Sequence, residues 1–584
     1  MIRRPPRSTQ GVSSAASDVY KRQMKGSKDK RSQDHHSLQK IKSDVRFTVA
    51  TACGLLLMGC HGQSGKNLRT REVPNTSHVV WLVCEDQSLF MPMYGDSNAH
   101  MPNVRSLAEE GTVFDHFFAV SPVCSPSRSS ILTGVQPSAI GTHHMRAYQA
   151  AQPKFNTHTG LPIYSAPAPD GVRAFTEHLR MQGVYCTNNA KEDYNFATPP
   201  LAWDVSSKEA HWRNRPEGAN FFSVFNFNVS HESSVWKRAS MPCDVSPDDL
   251  IVPPLLPEHK DVRRDMATNY CNLEELDKRV GEVLAQLKED GLYDQTTVVF
   301  YSDHGGPFPR FKRALSDAGL RVPMIVKWGQ DVEAPARQSA MHSFLDLGPS
   351  VLAWMGVTPP ETLPGLPITP MGDGHQEIHG ASDRFDEEMD RVRTIRTRHW
   401  RLVRNDLPQK PKGLDLAYRQ RMRTALAMDS LASNGIEPWH TWKHEARQPW
   451  ELYHTSEDPW EMTDLSQEAI YADTLYNLQR KLALAFPAHL DLGRTSEAEM
   501  ITSFERKIAE QDLQPATLVR NKEVLTLSHA NPNVSLGWKP LGEDRWHITT
   551  SGLPIAPPAG TEVLELLAAR IGWASQYTVE DIPD

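Results

Sequence analysis

Cys124-Ser125-Pro126-Ser127-Arg128 opens a segment that closes on Leu132-Thr133-Gly134. Pro126 suits a first helical turn, because its ring presets φ and its missing N–H would be unpaired there. Gly134 suits the residue just past a helix end. Cys124 then stands at a helix mouth, where free N–H groups and the positive end of the dipole attract an anion. Arg128, one turn on, adds a permanent charge with forked donors. The combination is a nucleophile beside an anion site. Taken alone, such a cysteine reads first as a buried structural thiol, so partners must come from elsewhere in the chain.

Two strand ends offer them. Val79 to Cys84 is a continuous apolar run, as expected of a strand buried on both faces of a parallel sheet, and it ends in Glu85-Asp86. Ligands of open α/β sheets gather at the carboxyl ends of strands, so paired acids there suggest a hard-cation site. By themselves, two acids read as a solvated turn. A second run, Thr297 to Tyr301, ends in Ser302-Asp303-His304-Gly305-Gly306. Three acids with an imidazole suit Ca²⁺ or Mg²⁺ better than a thiolate-bound metal. Between these regions Gly141-Thr142-His143-His144-Met145-Arg146 places two histidines and an arginine not far past the cysteine. Such histidines can bind an anion or shuttle a proton, and surface polar residues fit the stretch equally.

Cys-x-Pro-Ser-Arg followed by Leu-Thr-Gly resembles the signature of the type I sulfatases, in which a separate maturase oxidises the cysteine to Cα-formylglycine. The resemblance extends from about Thr76 to Leu492. It implies that Glu85, Asp86, Asp303 and His304 hold a divalent ion, Ca²⁺ rather than Mg²⁺, with Glu85 departing from the family's usual aspartate. It implies that Lys191 and Lys312 bind sulfate and that His231 contacts the ester oxygen. Where the family usually shows Gly-Lys-x-His, this chain has Ala190-Lys191-Glu192-Asp193. Asp193, or His143 or His144 from the other loop, must then replace the missing histidine. His143, His144, Arg146 and Asp193 are accordingly candidate substrate contacts.

The elements that must position these residues read as an α/β protein. Thr112 to Val120, Val184 to Thr187 and Phe221 to Asn228 read as further strands; Asn103 to Glu110, Asp170 to Gln182 and Asn272 to Asp290 read as helices. The resemblance implies the alkaline-phosphatase-like architecture: a large mainly parallel sheet flanked by helices, with a smaller antiparallel C-terminal subdomain. The expected division is 76–380 for the catalytic domain, 381–492 for the subdomain and 493–584 for a small mixed extension. In that extension Trp546 to Thr550 hints at a strand and Thr561 to Ile571 at a short helix.

Residues 1–23 read as translated adapter sequence, with Met24 the expected start. Residues 24–60 carry basic residues, the apolar run Phe47 to Met58, then Gly59-Cys60, which reads as an export signal. Leu57-Met58-Gly59-Cys60 resembles a bacterial lipobox, which implies lipidation of Cys60; a plain secretory signal is the alternative. Residues 61–75 would be a flexible linker. The chain is therefore expected outside the cytoplasm, in the periplasm, on the outer membrane or secreted, touching membrane only through a lipid anchor.

With 584 residues and a net charge of -8, composition gives no case for nucleic-acid binding. Seven cysteines without a CxxC pair exclude a zinc ribbon; five remain after the leader's two, an odd number compatible with one spent at an active site. The expected function is hydrolysis of sulfate esters, or sulfamates, of a sulfated glycan. A phosphate mono- or diester hydrolase built on the same site is the alternative enzyme, and a non-catalytic glycan-binding lipoprotein the alternative of another class.

Overall fold

The computed structural model describes residues 73–148, 154–329 and 332–583, so the export signal, lipobox and most of the linker lie outside the described residues. Eight strands form the main sheet: β1 (His78–Cys84), β2 (Thr112–Phe118), β3 (Tyr185–Asn189), β4 (Val205–Ser207), β5 (Phe221–Phe227), β6 (Thr296–Ser302), β7 (Met324–Lys327) and β8 (Arg337–Ser343). Their order is β4-β3-β5-β1-β6-β7-β2-β8. All neighbours pair in parallel except β7, which runs against both β6 and β2.

Alternation along the central strands explains why these runs are apolar throughout. Val79, Trp81 and Val83 of β1 join one core, while Val80, Leu82 and Cys84 join the core on the opposite face. The first face is covered by the helices Phe175–Met181 and Leu347–Trp354 and the end of Cys124–Thr133; the second is covered by Pro102–Glu109 and Lys260–Glu289. The last helix starts twelve residues before the expected Asn272 (272 − 260), since Val262, Met266 and Ala267 continue its buried stripe. With both faces covered, the open carboxyl edge of the parallel strands is the natural place for a ligand.

A second, antiparallel sheet follows, from β9 (Glu377–Ser382), β10 (Val392–Thr397), β11 (Trp400–Asn405) and β12 (Trp450–His454), in the order β12-β11-β10-β9. Helix Ala472–Ala485 closes it through Leu478 and Leu482. Buried arginines pin this sheet to the catalytic side: Arg396 grips Asp317 at 2.9 and 3.0 Å, and Arg401 bonds Asp317 too while holding Glu461 of its own subdomain at 2.8 Å.

The C-terminal extension is more ordered than its sequence suggests. Helix Glu497–Glu510 begins with a full capping box from Ser496 and Glu499. Two small sheets follow: β13 (Thr517–Asn521), β14 (Val524–Ser528) and β17 (Pro554–Ile555) in one, β15 (Ser535–Pro540), β16 (His547–Thr549), β18 (Val563–Ala569) and β19 (Gln576–Asp581) in the other. The expected helix over Thr561 to Ile571 is thus corrected to a strand. Val563–Ala569 lies between β15 and β19 and pairs with both, so tertiary pairing overrides a Leu- and Ala-rich composition that favours helix in isolation. Among the described residues, Cys243 and Cys271 form a disulfide, and Cys84, Cys124 and Cys186 are free and buried. No described helix is long and apolar enough to cross a membrane.

Candidate active site

Four parallel strands end side by side and deliver their next residues to one place. β1 leads to Glu85 and Asp86, β6 to Asp303 and His304, β5 to His231 and β3 to Lys191. The loop after β2 brings the helix Cys124–Thr133 over these ends, with Cys124 as its first residue. Gly134 closes that helix in the left-handed conformation at φ 67, its N–H donating to Ser130. Ser127 Oγ donates to the Asp303 carbonyl at 2.6 Å, which ties the helix to the β6 end.

The Cys124 sulfur lies 3.2 Å from His304 Nε2, 3.7 Å from Lys312 Nζ and 3.8 Å from Asp86 Oδ1. Burial pushes its pKa up, but the Lys191 and Lys312 ammonium groups more than offset this and bring the thiol down to about 7. The site therefore favours negative charge on the atom held there.

Asp86, Cys124, Asp303 and His304 present donor atoms that all lie within 4.8 Å of one another, every one of them buried. Asp86 takes φ 54, a left-handed conformation that aspartate tolerates better than most residues. His304 Nδ1 faces the Gly305 carbonyl at 3.0 Å, so a proton held there leaves the Nε2 lone pair directed at Asp86 and the sulfur. Burial would raise the Asp86 pKa, yet Lys312, His231 and His304 hold it well below the usual carboxylate range. Burial opposes charge on His304, but Asp303, the thiol and Asp86 raise it. Two buried carboxylates and an imidazole facing one point fit a hard divalent ion. Glu85 stands beside this group rather than in it: Oε2 accepts from Lys191 at 2.7 Å, while the buried Oε1 has no hydrogen-bond partner among the described residues.

Cations surround the site. Lys312 Nζ reaches Asp86 at 2.7 Å and Glu232 at 2.9 Å; Arg128 donates to Asp303 at 3.0 Å and to Asn226 at 2.7 Å. Arg128 Nη2 is a buried donor without a partner among the described residues, available to an anion. His231 Nδ1 accepts the Ser233 N–H at 3.2 Å, so its proton sits on Nε2, 3.8 Å from Asp86.

The loop histidines lie elsewhere. His143 and His144 are 2% and 1% exposed, their rings tilted against each other with centroids 4.2 Å apart, and they lie near the buried side chains of Arg384, Arg393, Asp383 and Asp491. His144 Nδ1 accepts from the Arg384 N–H at 3.2 Å. The expectation that they meet substrate is corrected accordingly: they pack under the C-terminal subdomain. Arg146 pairs with Asp386 at 2.6 Å and lies over the ring of Tyr418, a residue that lines a cleft together with Glu85, Lys191 and His231. Asp193 accepts from Ser125 Oγ at 2.6 Å, one residue from Cys124, which places it beside the reacting position.

Sequence reasoning did not single out Glu232 and Arg313. Glu232 bridges Lys312 to Arg313, whose guanidinium grips it at 2.8 and 2.9 Å, and its N–H donates to Asp86 at 2.6 Å. The only signal was adjacency: each follows a residue already marked, His231 and Lys312.

The sulfatase family model matches residues 77–357. An ulvan-active sulfatase of Formosa agariphila is 33% identical over 91% of this chain and 96% of its own length. Human N-sulphoglucosamine sulphohydrolase is 25% identical over 70% of this chain and 89% of its own. A solved 2-O GAG sulfatase aligns with TM-score 0.52 at 14% identity, over 72% of this chain and 94% of that structure. A phosphonate monoester hydrolase of Agrobacterium radiobacter aligns at 0.50 with 15% identity, over 71% and 96%. These last two likenesses speak to the fold, which is the alkaline-phosphatase-like α/β architecture.

Proposed function

The chain belongs to the sulfatase family, and from that premise we propose that it releases sulfate from esters, or sulfamates, of a sulfated glycan at position 124. The observation that carries this reading is the convergence of acids, imidazole and ammonium groups on the Cys124 sulfur. As Cα-formylglycine hydrate, position 124 would supply two hydroxyl groups on one carbon, one of them the attacking oxygen. A divalent ion, Ca²⁺ by preference, held by Asp86, Asp303 and His304 with the free Glu85 oxygen beside them, would polarise oxygens at the reacting centre.

The remaining work falls to this chain's own side chains. Lys312, Lys191 and Arg128 hold the negative charge that gathers on the transferred group. His231 presents Nε2–H from the cleft side, where it can give a proton to the departing sugar oxygen. Ser125 holds Asp193 beside position 124, which makes Asp193 the nearer candidate to replace the family histidine as a base. Export supports the same picture, because the Cys243–Cys271 disulfide suits an oxidising compartment and the leader reads as a signal ending in a lipobox at Cys60. The partners are then a sulfated glycan, a maturase and, through a lipid anchor, the membrane.

The test is peptide mass spectrometry across Cys124 after coexpression with a maturase, joined to sulfate release from a panel of defined sulfated glycans. A formylglycine mass with chelator-sensitive sulfate release is expected. An unmodified thiol in active protein would refute the mechanism, and faster cleavage of phosphate than of sulfate on one leaving group would refute the substrate class.

A further inference from the structure

We propose that the cleft lined by Glu85, Lys191 and His231 binds a second anionic group, so that the preferred substrate is a glycan bearing another carboxylate or sulfate beside the scissile sulfate. This rests on the sulfatase reading above and adds a recognition site to it.

The cleft has a volume of about 510 Å³. Glu85, Lys191 and His231 of the reacting centre line it. Lys237, Arg238 and Arg279 line it as well. Of the lining residues four are cationic and one, Glu85, is acidic, and that acid is already bonded to Lys191 at 2.7 Å. Among the described residues, neither Lys237 nor Arg238 has a carboxylate within salt-bridge distance. Arg238 is nonetheless held in place, since its Nε donates to Asn272 at 2.7 Å and leaves the rest of the guanidinium fork unspent. Arg279 has one pairing, with Glu275 at 3.1 Å one turn away on its own helix, the kind of surface ion pair that a ligand displaces at little cost.

Position as well as charge makes this a site. His231 is the N-cap of the short helix Glu232–Lys237, and Lys237 and Arg238 lie at its other end. One short helix therefore carries both the group that faces the leaving oxygen and the free cations. Six residues of helix set them about 9 Å apart, the reach of a disaccharide rather than of a single ester. Among the described lining residues Tyr418 is the one Phe, Tyr or Trp, and it has the Arg146 guanidinium at 5.2 Å from its centroid. A cleft built for a neutral sugar chain would instead offer open aromatic platforms and paired charges.

Matured wild-type protein should be tested with three sulfated disaccharides alike except at the neighbouring sugar: one with a carboxylate, one with that carboxyl reduced to an alcohol, and one with a second sulfate there. Either dianion should show kcat/KM at least about tenfold above the alcohol, expressed in KM, and the advantage should shrink as salt rises. A K237Q/R238Q/R279Q variant should bring the ratio within about twofold, with 4-nitrophenyl sulfate turnover showing that the variant is folded and matured. Equal kcat/KM for the three disaccharides in the wild type, or an unchanged ratio in the variant, overturns the proposal while leaving the glycan reading intact. Turnover of 4-nitrophenyl sulfate with no release from any disaccharide would sink the glycan reading, and this proposal with it.

Discussion

Ser302-Asp303-His304 and Gly141 to Arg146 both present histidine beside other polar groups, and of the two only the first reaches the reacting centre. Ser302-Asp303-His304 follows β6 directly, so the carboxyl end of a buried parallel strand aims it at the point where β1, β3 and β5 also end. Gly141-Thr142-His143-His144-Met145-Arg146 follows a short helix in a loop, and the same residue types fold inward beneath the second sheet. In the first stretch burial comes with partners: Asp86, Asp303 and the sulfur raise the His304 pKa against desolvation. In the second, desolvation outweighs the nearby carboxylates Asp383, Asp491 and Glu497: His143 and His144 are both shifted down. Residue type alone does not mark a site; the topology that delivers the side chain does.

The comparison is sharpest at its extremes. Cys124→Ala should abolish sulfate release, a loss on the order of 10⁴ or more in kcat, because the proposed attacking oxygen comes from position 124. His304→Ala should follow with a loss of about 10²–10³ and weaker retention of the divalent ion, read by kinetics and metal analysis. His143→Phe, a change of similar size, should alter kcat/KM by no more than about threefold while shifting Tm. A large kinetic loss in His143→Phe with normal stability would break the contrast.

Legibility followed the same division. The runs that became β1, β5 and β6 were readable because strands buried on both faces leave no polar alternation. The acids at their ends could be placed at one edge before any contact was known. What the sequence hid was whatever depended on a fold-made neighbour. Glu232 gains meaning only from Lys312 and Arg313, far away in the chain. Val563–Ala569 becomes a strand only because β15 and β19 flank it. The helix Glu497–Glu510 is a different case: Ser496 and Glu499 spell its capping box, and Glu497 reaches back to Arg384 at 2.7 Å, so the signal was present in a region that looked featureless.

Glu232 tests whether the buried side of the site does more than hold itself together. Glu232→Gln keeps the shape but removes the charge between Lys312 and Arg313. The expected result is a loss of about tenfold in kcat with KM little changed, together with a lower Tm, because two buried cations lose their shared partner. Unchanged kcat with a lowered Tm would make this bridge purely structural.

The smallest effect concerns acid. His143 and His144 have folded-state pKa values below their ordinary one because burial disfavours the imidazolium. Below about pH 6.5 the unfolded chain binds protons that the folded chain refuses, so stability rises with pH there and is lost as pH falls. Each histidine contributes a slope of up to about 1.4 kcal/mol per pH unit. Wild-type Tm should therefore drop between pH 7 and pH 5, and His143→Phe should flatten part of that drop while leaving the pH 7 to pH 8 range alike. His304 should give no such acid loss, since its pKa is raised: it is already protonated in the folded state without a metal ion, and acid asks nothing more of it. A metal-free His143→Phe protein with the wild-type slope would show that the loop histidines are not the buried neutral pair described here.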